Sequence, residues 1–157
     1  MASSLNTPIT LSVNPTLTAD LGTFAPILAA FGFTLSNGTS SLQADSVYCA
    51  RRTASTSGDS LDLSGGGLLQ PDQSSFSIAE ICFMLVINRD SSINITVGGG
   101  SNAVVVVGDP IKPGGWRVWA EKSDPAIPVT AGTGDIVKVV SASGTPSYDI
   151  LIIGRSA

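Results

Sequence analysis

The segment spanning residues 76–88, FSIAEICFMLVIN, constrains the fold of this chain more than any other. From Ile81 to Ile87 it runs through seven apolar residues without a break. A membrane-spanning helix needs about 20, so no membrane partner is expected. The run is rich in β-branched and aromatic residues and contains neither Gly nor Pro. Polar, turn-forming clusters lie on both sides, Asp72-Gln73-Ser74-Ser75 before it and Asn88-Arg89-Asp90-Ser91-Ser92 after it. Together these features predict a β-strand buried on both faces. A buried helix is the alternative, but the run is short for one.

Shorter strand patterns surround this centre. In residues 47–53, Val47 and Cys49 share one face, and Tyr48, Ala50 and Arg52 the other. Leu61 and Leu63 alternate with Ser60 and Asp62, and Ile93, Ile95 and Val97 with Asn94 and Thr96. Residues 103–107 form a second continuous apolar run. Residues 116–120, 129–131, 135–140 and 148–153 complete the series, and Gly- or Pro-containing turns separate its members. Short strands with turns every few residues predict an all-β antiparallel sandwich of jelly-roll-like form rather than alternating strands and helices.

Residues 1–42 read differently, as an extended N-terminal arm ahead of a sandwich domain at 43–157. Ile9, Leu11 and Val13 alternate with Thr10 and Ser12 as a half-buried strand. Pro26 could open a short helical turn over residues 26–30, and Asn37-Gly38 is a turn signal. Pro8, Pro15 and Pro26 block long regular elements, yet the segment is too apolar for a disordered tail. It is expected to dock on a neighbour by strand addition through Ile9, Leu11 and Val13.

Composition narrows the function. The 157 residues suit one domain, and only 13% are charged against 43% hydrophobic. So apolar a chain is expected to bury surface against copies of itself or a larger assembly. A net charge of −4 argues against a nucleic-acid partner. There is no histidine, which removes the commonest general base and metal ligand. Cys49 and Cys82 form no CxxC pair, which excludes a Cys-rich zinc site; they are read as two isolated buried thiols, with one disulfide between them as the alternative. The first 50 residues hold no Lys or Arg; without a basic leader the chain is expected to be made in the cytoplasm.

No motif carries chemistry. Residues 97–103, VGGGSNA, match a dinucleotide-binding pattern in form, but an apolar strand-like run follows where a helix is needed. Its glycines are read as a loop with positive φ. Asp59 and Asp62 fall on opposite faces of a strand, so they are not paired carboxylates. The chain is read as non-enzymatic, with no catalytic residue, cofactor or metal. The candidate partner contacts are Arg51-Arg52, the only basic pair, and Trp116, Arg117 and Trp119. An exposed Trp beside an Arg suits a protein partner or a sugar, and Arg51 and Arg52 suit an acidic neighbouring subunit.

Several segments, in order, resemble a family of small tailed-phage virion proteins. They are Ala44-Asp45-Ser46-Val47-Tyr48 with Arg52-Thr53, then Asp59-Ser60-Leu61-Asp62-Leu63, the Val97-Gly98-Gly99 loop, Pro113-Gly114-Gly115, residues 129–135 and the closing residues 148–154. The resemblance covers residues 44–157. It departs at Cys49-Ala50, where the family often has polar residues, and at Trp116-Arg117-Val118-Trp119. It implies a structural component of a bacteriophage virion, foremost a capsid cement (decoration) protein. Such a protein would bind the major capsid protein as a homotrimer and stabilise the shell. A tail or baseplate accessory is the nearest alternative, and a carbohydrate-binding module is the alternative of another class.

Overall fold

The computed structural model describes residues 34–65, 67–105, 108–121 and 123–156, and these residues are all-β with no helix. The calls on Ile9, Leu11 and Val13 and on residues 26–30 lie outside them. In chain order the strands are β1 (Ser36–Asn37), β2 (Gln43–Ala44), β3 (Ser46–Thr53), β4 (Asp59–Asp62), β5 (Leu68–Leu69) and β6 (Ser75–Phe76). Then follow β7 (Glu80–Asn88), β8 (Ile95–Val97), β9 (Trp116–Ala120), β10 (Ile127–Pro128), β11 (Ile136–Ser141) and β12 (Ser147–Arg155).

Two antiparallel sheets carry the architecture. In the larger, β12 lies between β3 and β7, and the far edge of β7 pairs with both β9 and β10. In the smaller, β11 lies between β4 and β8. Alternation along each strand puts one set of side chains between the layers. Tyr48, Met84, Val86, Ile150 and Ile152 from the larger sheet meet Leu61, Ile95, Val97, Val137 and Val139 from the smaller. Leu63, Phe76 and Ile78 join the same core, with the Phe76 ring 5.7 Å from that of Tyr48.

The segment at 76–88 is central, as its composition predicts, but it is not one strand. Ser75–Phe76 pairs with β5 in a small hairpin, and the long strand starts at Glu80. A bulge then breaks the register: Ile153 faces Phe83 while Gly154 faces Ile81. The extra residue, Cys82, therefore packs on the same side as Phe83. Gly154 is required here, since a Cβ at this position would stand 2.6 Å from the Glu80 carbonyl oxygen.

Several details correct the sequence reading. Residues 103–105 form no strand; Ala103 makes a single bridge to Ile136, after glycines 98, 99 and 100 and Asn102 have all taken positive φ. The Asn102 carbonyl accepts from the amides of both Asp135 and Ile136, which holds the segment against β11 without a ladder. Cys49 is exposed, so only Cys82 is the buried thiol expected; both are free. Leu85 and Ile87 are only half-buried, so the central strand is two-faced at its start and one-faced at its end. Within the expected arm, Leu35 is buried against Ala44, Phe83 and Ile153.

Buried Arg155 fastens the end of β12. Its guanidinium donates to the Glu80 carboxylate and to the carbonyls of Ser40 (2.8 Å) and Ser123 (2.7 Å). Next to it, the Asp45 carboxylate accepts from the Ser156 amide at 2.8 Å.

Candidate protein interface

The register of the larger sheet fixes what its outer face presents. Odd positions of β3, β12 and the end of β7 point away from the core, and so do the even positions of β9 paired with them. They line up in cross-strand rows. The first is Val47, Ile153, Phe83 and Ala120; the second is Cys49, Leu151, Leu85 and Val118; the third is Arg51, Asp149, Ile87 and Trp116. Every member is apolar except Arg51 and Asp149.

The first row is covered at its centre, because Leu35, Ala44 and Ala126 pack over Phe83 and Ile153. Among the described residues nothing comparable lies on the second and third rows. Cys49 and Trp116 are exposed there, Trp116 by 59%, and Leu85, Ile87, Val118 and Leu151 are half-buried. An open depression of about 510 Å³ runs along these rows between Cys49, Leu85, Ile87 and Leu151.

The charged members form one small island at the rim. Arg51 grips the Asp149 carboxylate with two bonds, of 2.7 and 3.1 Å, and Arg89 adds a third at 2.6 Å. The hydrogen bonds from Arg51, then those from Arg89, pull the Asp149 carboxyl down to about 2. Two guanidinium groups around one carboxylate leave a local excess of positive charge.

The structure divides the contacts expected from sequence. Arg51 and Trp116 stand at opposite ends of one outer row. Arg52, Trp119 and Arg117 sit on the other side of their strands. Arg52 clamps Asp59 of the opposing sheet at 2.6 and 2.7 Å and donates to the Tyr48 hydroxyl at 3.1 Å. The Tyr148 hydroxyl donates to the same carboxylate at 2.6 Å. Burial works against the charge on Asp59, yet the bonds from Arg52 and Tyr148 hold its carboxyl below the ordinary value. Burial and this bond push the Tyr148 phenol up. Arg52 thus joins the two sheets instead of facing a partner. Trp119 packs against the core, and Arg117 is half-buried beside it.

Sequence reasoning placed Cys49 and Val118 in the segments that depart from the resembled family, but did not single out Leu85, Ile87 and Leu151 as surface residues. A signal was present: Arg51 falls on the same side of its strand as Val47 and Cys49, and Asp149 on the same side as Leu151 and Ile153. A charge in register with apolar neighbours marks a face that reaches water. Among the described residues, no group of three or more His, Cys, Asp or Glu side chains is placed to hold a metal ion. No family model matches the chain, and neither a curated protein nor a solved structure is found to match it.

Proposed function

We propose that this chain is a structural protein of a phage particle, a cement subunit that clusters as a trimer on the major capsid protein and stabilises the shell. The observation that carries the reading is the chemistry of its most open surface. That surface is a rigid apolar sheet face ending in an exposed Trp, the kind of surface that works by packing against protein. The segments that resemble small tailed-phage virion proteins include much of β3 and most of β12, two of the strands that build this face. The mechanism is mechanical. Each copy bridges neighbouring shell subunits, and repetition over the shell supplies avidity without tight single contacts.

The test is to add purified chain to shells assembled from major capsid protein alone. Saturable binding at fixed shell positions, with a higher shell disruption temperature, is the expected result. Density on the tail or baseplate in particle images would replace this reading with that of an accessory protein. The exposure of Trp116 favours one second reading, a carbohydrate-binding module with this ring as stacking platform. Glycan-array binding that disappears in Trp116→Ala would establish it.

A further inference from the structure

We propose that the second and third rows of the outer face are covered by the N-terminal segment of the same chain, residues 1–33. This rests on the reading of that face as a packing surface and names what covers it in the free chain, before a shell displaces the segment.

The size of the open area points to a segment rather than a second copy. Strands lie about 4.8 Å apart and alternate residues along a strand about 6.7 Å apart, so two rows across four strands present roughly 250 Å². A stable interface between two proteins takes about 800 Å² from each partner. The open area is too small for that and suits one length of chain.

The chemistry of the segment fits. Residues 1–33 contain Leu5, Ile9, Leu11, Val13, Leu17 and Phe24 among other apolar residues. Their single charged side chain is Asp20, opposite in sign to the excess at Arg51 and Arg89. Ile9, Leu11 and Val13 repeat every second residue, and in extended chain their spacing of about 6.7 Å equals that of the rows.

The point of entry also fits. The described chain begins next to Leu35, which packs on Phe83 and Ile153 in the first row of this same face. From there the third row is about 13 Å away along the strands, well within the reach of residues 1–33. A tethered segment meets its site at millimolar effective concentration, which gives it precedence over a free partner.

Cys49, in the middle of the second row, is a built-in reporter. In the full chain its alkylation by an uncharged maleimide is expected to be at least about 10-fold slower than in a chain carrying Ile9→Asp, Leu11→Asp and Val13→Asp. Protection should not change over a 100-fold dilution, since the cover belongs to the same molecule. In the reciprocal measurement, Leu151→Asp should raise hydrogen exchange in peptides from residues 1–33 while far-ultraviolet circular dichroism stays that of a β protein. Rapid alkylation of Cys49 in the unaltered chain would overturn the proposal. Protection that fades on dilution would overturn it too, by assigning the cover to a second copy. Exchange in residues 1–33 that ignores Leu151→Asp would do the same. All these measurements use the chain alone, so they can fail while shell binding succeeds, and the reverse.

Discussion

The two outer faces of the sandwich are built from the same kind of strand yet differ in what they show to water. On the smaller sheet the outward positions are Asp62, Ser60, Lys138 and Thr96, with Ile136 and Val140 among them. Its two apolar members are each bridged by a neighbouring loop residue, Ile136 by Ala103 and Val140 by Ser55. On the larger sheet the outward positions are apolar apart from Arg51 and Asp149 in the third row, and the loops cover only the first. An antiparallel sheet normally has one packed and one solvated face. The smaller sheet follows that rule. The larger has two packing faces and, among the described residues, one and a third covers. The difference separates two sets of rows: the inner rows hold the fold together, and the second and third outer rows are left open among the described residues.

The largest test of this contrast is truncation in the core against truncation on the polar face. Ile150 lies in the interlayer core between Ala50 and Val86, so Ile150→Ala should cost ~2–5 kcal/mol by denaturant titration. Lys138→Ala on the polar face should stay within ~0.5 kcal/mol. Equal losses at both sites would erase the distinction between core and solvated face.

The charged residues give the next effect. Asp59→Ala leaves Arg52 and the Tyr148 hydroxyl without their shared acceptor between the sheets, an expected loss of ~1–3 kcal/mol. The melting temperature should fall by several degrees. Asp149→Ala at the exposed rim should cost less than half as much. The opposite order would mean that the rim island, not the clamp between sheets, holds the layers.

Trp116→Ser sharpens the separation of stability from contact. The ring is exposed, so stability should change by no more than ~0.5 kcal/mol, while occupancy on shells falls several-fold. A stability loss as large as that of Ile150→Ala would place Trp116 in the core.

The smallest effect is the response to acid. The folded Asp149 carboxyl titrates near 2, against about 3.9 in an unfolded chain. As pH falls the unfolded chain takes up its proton first, so the contribution is complete above about pH 4 and is lost towards pH 2. The pairs are exposed, with Arg51 at 66% and Arg89 at 47% of side-chain surface, so screening keeps the contribution small. Melting curves of the wild type and Asp149→Asn should converge over that window, and more so at low salt. A constant gap between them from pH 5 to pH 2 would rule out this titration as the cause.

Strand existence was readable because it rests on local alternation. Residues 116–120 and 47–53 carry their period on their face, and the structure ends them within a residue of where the pattern does. The run at 76–88 was identified as central for the same reason, since so many consecutive apolar residues need cover on both sides. Of the strand expected at 103–107, the described residues 103–105 form none, because composition says nothing about whether a partner lies within hydrogen-bonding reach. Arg155 was invisible as a core residue, since a charge near a strand end is ordinarily solvated; only the Glu80 carboxylate and the carbonyls of Ser40 and Ser123, brought in from distant parts of the chain, make its burial tolerable.

The sequence alone thus determined the all-β class, the central run and the side of each strand on which a residue lies, because all three follow from the two-residue period of extended chain. Which sides became core and which became surface was decided by tertiary structure. Cys49 and Tyr48 are adjacent and both read as strand residues, yet one lies under the opposing sheet and the other on an open face. The same holds for Arg51 and Arg52, one at the rim and the other clamped between sheets. Alternation assigns residues to two sets, but only the placement of the second sheet chooses which set it covers.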